Sequence, residues 1–414
     1  MKKHILKGNI CTSGDTNEIK IYKNSFLVCI DGICRGIFEK VPSEYCGIEI
    51  TDYGDMIIIP GMSDLHVHAS QYAYRGTGMD MELLDWLEIN AFPEEGRFSD
   101  MEYAACAYDI FADDLLKTPT TRLCAFATVH KDATLYLMEA LEKRGFHGYA
   151  GKVNMDRNCP DYLREKDVSC TEEWIRECST VNIRPAVTPR FIPSCTDSMM
   201  EELGRLCEKY NLPVQSHISE NKSEIELVHS LCDVEFYAQG YDRYGLLNDR
   251  TVMAHCIYSS DEELALMKER GVFIAHCPES NMNIASGIAP VRKYIDSGQK
   301  VGLASDVAGG SDLSLFGAMT HALRCSGMYW RLVDESSRPL TFEEVFYMAT
   351  KGGGSFFGKT GSFETGYDFD AVVLDDSNMC HPRQLSVRQR LERIIYLSDS
   401  RNIHAKYICG NRVL

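Results

Sequence analysis

Two histidines one residue apart, His66 and His68, follow an apolar β-branched run in residues 57–71, IIIPGMSDLHVHASQ. Strand side chains alternate with period two, so residues i and i+2 face the same way on an extended chain and splay apart on a helix. The pair can share one metal ion if Ile57-Ile58-Ile59, closed by Pro60-Gly61, is a short buried strand that carries Asp64, His66 and His68 off its end. Later apolar runs also carry an unusual polar residue at or past their C-terminal ends. Arg190 closes one of them, His217 and Glu220 close the next, and His255 and Asp306 close two more. Three neutral imidazoles and one carboxylate around an open position make a catalytic zinc or iron set, because water binds at the open position and loses a proton there. His66, His68, His217 and Asp306 are the expected ligands, and His255 either completes the sphere or orients the water. A lysine at the end of the fourth strand would allow a carbamate bridging two metals. That run ends Thr188-Pro189-Arg190-Phe191, which favours one metal. His130 and His276 also lie near strand ends and are expected to be ordinary core or loop residues.

These side chains can meet only if the runs are strands of one framework. After the first run come short apolar segments at 121–130, 147–155, 183–191, 213–220, 251–258, 272–278 and 301–310. Most are separated by helix-like stretches such as SMMEELGRLCEKYN and SSDEELALMKERG, the latter opened by a Ser/Asp cap and closed by Gly271. Eight strands alternating with helices is the count of an α/β fold, the (β/α)8 TIM-like barrel, whose enzymes assemble their sites at the C-terminal face of the strands. The ends of the chain read differently. Residues 1–55 and those from 361 onward (YDFDAVVLDD, RIIYLSD, IHAKYICGNRVL) look like short antiparallel strands between turn residues. The expected organisation is one small β-domain built from 1–58 and 361–414, flanking a catalytic domain at 59–360.

Composition narrows the function classes. A chain of 414 residues suits one large domain plus an accessory one. The formal net charge is -17, and no block of lysines and arginines is present to track a phosphate backbone, which argues against a nucleic-acid partner. The start, MKKHILKGNI, lacks the apolar core of a signal peptide, and nothing later approaches a membrane-spanning length, so a soluble cytoplasmic protein with no membrane partner is expected. Seventeen cysteines are scattered without a Cys-x-x-Cys pair. Many, such as Cys29, Cys124, Cys256 and Cys409, sit in apolar runs and read as reduced core residues.

The runs PGMSDLHVHASQY, LLDWLEINAFPEE, TPRF, QSHISEN, TVMAHC, AHCPESN and GLASDVAGG, in that order, closely resemble the guanine deaminases of the metal-dependent amidohydrolase superfamily. The likeness spans about 57–310 and continues more loosely through FETGYDFDAVVL. The spaced HVH, H, H and D pattern is shared by many hydrolases and implies only barrel and metal, whereas ASQY, LLDWLE with FPEE, and TPRF are the narrower marks. The resemblance implies a composite β-sandwich from both termini, a distorted barrel, one zinc (or ferrous iron) per subunit, a homodimer and a small purine base as substrate. By position, His66, His68, His217 and Asp306 match the ligands, Glu220 the proton shuttle, and Gln71, Arg190 and Phe191 the purine contacts.

The residue types then suggest a reaction. Asp306 takes the proton of the attacking water, Glu220 protonates the purine N3 beside the attacked C2 and later passes a proton to the departing amine, and His255 steadies the attacking oxygen. Arg190 offers only donors, which suits the C6 carbonyl of guanine and opposes the C6 amino group of adenine. Gln71 can offer its carbonyl to a ring N–H and its amide to a ring nitrogen, and Phe191 an apolar face. Plainer roles stand beside these: Glu220 as a helix-start acid in ENKSEIELV, and Arg190 as half of an internal ion pair. Deamination of a modified adenosine or cytosine, triazine hydrolysis, and a metal-free interaction scaffold are the alternative functions. The other nucleobase-deaminase architecture, His-x-Glu with Pro-Cys-x-x-Cys, is absent.

Overall fold

The computed structural model describes residues 3–14 and 18–414. Residues 1–2 and 15–17, which fall in the expected N-terminal β-segment, lie outside the described residues. Among the described residues the strands in chain order are β1 (Lys3–Ser13), β2 (Ile19–Ile30), β3 (Ile33–Phe38), β4 (Ile50–Pro60), β5 (Met62–His68), β6 (Thr120–Phe126), β7 (His147–Gly151), β8 (Val153–Asn154) and β9 (Ile183–Pro185). They continue as β10 (Thr188–Pro189), β11 (Val214–Ile218), β12 (Thr251–His255), β13 (Phe273–His276), β14 (Lys300–Leu303), β15 (Ala371–Leu374), β16 (Ile403–Ile408) and β17 (Asn411–Arg412).

Strands from both ends of the chain form one mixed seven-stranded sheet, ordered β17-β16-β15-β4-β1-β2-β3. Two expectations fail here. The N-terminal strands are not all antiparallel, because β1 pairs with β4 in parallel. The segment RIIYLSD is no strand but part of the helix Val387–Leu397. Ser386 caps that helix in a reciprocal box with Gln389, and Val387, Leu391, Ile394 and Ile395 are buried at helical spacing. Read from Arg393 alone, the segment looks β-rich; the helical period becomes visible only when the preceding VRQRLE is included.

The run Ile57-Ile58-Ile59 also belongs elsewhere than expected. It lies in β4, antiparallel to β15 with Ile59 opposite Val372, while the histidines sit on the next strand, β5. Pro60-Gly61 is where the chain changes sheet. A Cβ on Gly61 would stand 2.2 Å from Thr121 Oγ1, so only glycine lets the crossover pass this close to β6.

The middle of the chain supplies two four-stranded parallel sheets, β5-β6-β7-β9 and β11-β12-β13-β14, with β8 and β10 paired beside them. Buried on both faces, these strands read as short apolar runs with no alternation. The runs at 147–155 and 183–191 each break into two strands, and Asp306 lies past the end of β14. Helices cover the sheets with legible ends. Asp197–Tyr210 starts on the Thr196 side chain and stops at Asn211 (φ 53°), and Asp261–Arg270 starts on Ser260 and stops at Gly271 (φ 75°). Arg122 on β6 joins the terminal sheet to the parallel one. Its Nε donates to the buried Asp370 at 2.7 Å.

Candidate active site

β5 is buried along its whole length, and its period of two turns His66 and His68 to one face. His217 comes from β11 and His255 from the last position of β12. His68 Nε2 lies 3.1 Å from the Nε2 atoms of both His66 and His217. Asp306 Oδ1 is 3.1 Å from His66 Nε2 and 3.7 Å from His68 Nε2, while its Oδ2 is 3.7 Å from His255 Nε2. The backbone holds this geometry together. His66 O accepts from Asp306 N and Val307 O from His68 N, both at 2.9 Å, and the buried Asp64 carboxylate accepts from His66 N at 3.2 Å and Ser305 N at 3.1 Å. Ser219 (φ 49°), His255 (φ 74°), Cys256 (φ 55°) and Asp306 (φ 47°) all occupy the left-handed region. Non-glycine residues adopt that conformation at a cost of roughly 1 kcal/mol each, and here it is concentrated at neighbouring strand ends beside the cluster.

The electrostatics divide the cluster by role. Burial drives His68 and His217 well below the ordinary imidazole range, and it lowers His66 against the opposing pull of Asp306. These three are neutral at pH 7. His217 Nδ1 donates to Arg190 O at 2.6 Å, which leaves its Nε2 lone pair aimed into the cluster. Burial alone would lower His255 as well, but Glu220 and Asp306 outweigh it and raise it. Burial is likewise outweighed at Asp306, where His66 and His255 hold the carboxyl down at about 2. Glu220 moves the other way. Burial lifts it to about 7, with His255 only partly opposing.

The donor set fits a metal cation. Neutral imidazole nitrogens 3.1 Å apart, with an ionised carboxylate beside them, leave lone pairs converging in a buried pocket. One divalent ion resolves that convergence, and nitrogens this far apart match bonds of roughly 2.0–2.1 Å to a common centre. Ligand atoms of His66, His68 and His217, and of His66, His255 and Asp306, lie within 4.8 Å of one another.

A cavity opens above the cluster, lined by His68, Gln71, Arg190, Phe191, His217, Glu220, His255 and Asp306, with Leu83, Trp86, Leu87 and Ile284 as apolar walls. His66 is buried beneath it. The plainer role considered for Glu220 belongs to its neighbours: Asn221 and Glu224 form the capping box of the helix Lys222–Leu231, and Glu224 also accepts from Glu220 N at 2.8 Å. The Glu220 carboxylate instead accepts from Ser286 Oγ at 3.1 Å and faces His255 Nε2 at 3.3 Å. Arg190 does take part in an ion pair, with Glu95 at 2.6 Å, and still lines the cavity. Gln71 Nε2 donates to Glu95 at 2.8 Å, so the carbonyl oxygen, near Ala308 N at 3.4 Å, is the part of its amide left for a ligand. His130 and His276 lie outside the lining. Sequence reasoning gave no role to Glu95 or Asp64. Glu95 stood in plain view in FPEE, but nothing local signals its partners.

Comparison with known proteins places the chain in context. The model described as Amidohydrolase family matches residues 57–413. A guanine deaminase of Dictyostelium discoideum is 38% identical, with 99% of this chain and 98% of the relative covered. The Homo sapiens guanine deaminase is 37% identical, with 99% and 96% covered. The crystal structure of a guanine deaminase from C. acetobutylicum with bound guanine in the active site superposes with a TM-score of 0.97 at 48% identity, covering all of both chains.

Proposed function

The chain belongs to the amidohydrolase family, and from that premise we infer that it is a hydrolase that converts guanine and water to xanthine and ammonia. The observation that carries this reading is the pairing, in one buried cavity, of the donor-only Arg190 and the acceptor end of Gln71 with the Glu220–His255–Asp306 cluster. Arg190 and Gln71 match the C6 carbonyl and the adjacent ring N–H of guanine.

We assign His66, His68, His217 and Asp306 to one zinc ion per subunit. Bound there, the ion acts as a Lewis acid that acidifies water at neutral pH. Arg190 and Gln71 orient the base by its C6–N1 edge, and Phe191 and Ile284 supply apolar surface against the ring. Asp306 accepts a proton from the attacking water. As the water oxygen bonds to C2, Glu220 gives its proton to N3, so no negative charge accumulates on the ring. A carboxyl near 7 is suited to that exchange. Glu220, now a carboxylate, takes the proton of the new C2 hydroxyl and passes it to the amine; the C2–N bond breaks as the C2 carbonyl forms, ammonia leaves, and the proton held by Asp306 returns Glu220 to its acid form. His255, whose Nε2 faces both Glu220 and Asp306, donates to the attacking oxygen.

The architecture is read in the same terms. The two parallel sheets are halves of one (β/α)8 barrel, a reading supported by the parallel Val187–Val214 bridge at one seam and by the contact of Gly302 on β14 with Leu65 on β5 at the other. We take the described residues up to Pro60 and those from 361 onward as the composite β-sandwich domain, two residues past the expected boundary because β4 runs to Pro60, and the residues between as the barrel. The cysteines form no disulfide among the described residues, which suits a reducing cytoplasm. No helix among the described residues is long and apolar enough to cross a membrane. The test is product identification. Zinc-loaded protein should release xanthine and ammonia in equal amounts from guanine, and guanine recovered unchanged would refute the reading.

A further inference from the structure

Glu95 is buried, and each of its carboxylate oxygens accepts from one of the two side chains assigned to the guanine edge. Oε1 takes Gln71 Nε2 at 2.8 Å and Oε2 takes Arg190 Nη1 at 2.6 Å. A carboxylate can only accept, so it decides which end of the Gln71 amide turns away from it. That end is the carbonyl, which is left for the cavity and for Ala308 N at 3.4 Å. The same carboxylate balances a guanidinium that would otherwise be buried unpaired beside the histidine cluster. Phe92 under Arg190, with its ring centroid 5.2 Å away, limits the guanidinium to one plane.

We propose that Glu95 is the positioning residue that sets the hydrogen-bond polarity of the substrate edge: through Gln71 it makes the cavity present an acceptor, and so selects a purine protonated at N1. This rests on the guanine reading above and extends it to a residue that touches no substrate atom. The neutral isostere makes a distinctive prediction. In Glu95→Gln, the new amide keeps its carbonyl on Arg190 and turns its NH2 toward Gln71, which must flip and present its own NH2 to the cavity. A ring N–H then meets a donor, while an unprotonated N1 meets a partner. Exchanging the two residues (Gln71→Glu with Glu95→Gln) restores an acceptor at position 71 with the total charge unchanged.

The test compares guanine with 2-aminopurine, which keeps the C2 amino group, lacks the C6 oxygen and has an unprotonated N1. Both substrates are assayed on each zinc-loaded protein, so a partly folded sample lowers both rates and leaves their ratio alone. The ratio of kcat/KM, guanine over 2-aminopurine, should fall at least ~10-fold in Glu95→Gln and recover at least ~10-fold in the exchanged double variant, since an unmatched buried polar contact costs about that much or more. A ratio that stays constant across all three proteins, or a double variant no better than Glu95→Gln, overturns the proposal and leaves Glu95 a structural ion-pair partner. Wild-type protein that deaminates neither base overturns the guanine reading itself, and this inference with it.

Discussion

Glu220 is the residue whose role the geometry narrows most. Its carboxyl is buried, raised to about 7, and placed against His255 and Ser286, while Asn221 and Glu224 start the helix behind it. Glu220→Gln should therefore lower kcat at least ~10²-fold with a much smaller change in KM, and leave thermal unfolding close to wild type. Near-normal turnover, or a fall in stability that accounts for the loss, would remove it from the proton path. Residues of this kind were legible because their signals are local. The i, i+2 spacing of His66 and His68 needs only an extended chain, and Arg190, His217, His255 and Asp306 each end or follow an apolar run. Glu95 was not legible, because its meaning depends on partners 24 and 95 positions away. The correction at Gln71 has the same origin: a free glutamine can offer both ends of its amide, and only the distant carboxylate commits one of them.

Elements were legible where periodicity and caps agree, as in the helices ended by Asn211 and Gly271, and illegible where a short window hid the period, as in RIIYLSD. The change of sheet at Pro60-Gly61 was misread for a related reason. A run of three isoleucines says that a strand is buried without saying in which sheet, and the contact of Gly61 with Thr121 that fixes the crossover is tertiary. Ion pairs between elements are equally invisible in sequence, and one allows a test. The helix Val291–Asp296 is tied to the helix Phe342–Tyr347 by buried Arg292, whose Nη1 donates to Glu344 at 2.9 Å, with Arg338 adding a bond at 2.8 Å. Burial alone would raise Glu344, but these arginines hold it at about 2, below the ordinary range near ~4.3 expected for the unfolded chain. A depressed carboxyl contributes stability above the unfolded value and loses it as pH falls through the folded one. The contribution should be complete above pH ~4.5 and lost as the pH falls through ~2. Urea unfolding across that range should show wild type losing its advantage over Glu344→Gln as acid is added. A difference independent of pH would show that the pair contributes packing alone.

At the scale of the whole molecule, the ligands assigned to the ion come from β5, β11 and the turn after β14, and that turn is bonded to β5 through the backbone, so the framework should stand without the metal. Chelation should abolish turnover, leave the far-ultraviolet circular dichroism unchanged, and be reversed by added zinc. Full activity in protein stripped of detectable metal would contradict the ligand assignment. The α/β class was legible from alternating runs and capped helices. The joining of both chain ends in one sheet was also foreshadowed, although the parallel β1–β4 pairing inside it was not, since strand direction depends on partners far along the chain. The cavity as a whole is matched to a purine with a carbonyl at C6 and a proton at N1. The most direct measurement is steady-state ammonia release by the zinc-loaded protein from guanine and from adenine, side by side. We expect kcat/KM for guanine at least ~10⁴-fold above that for adenine, the scale set by leaving buried polar groups unmatched. Comparable rates on the two bases, or release from adenine alone, would contradict it.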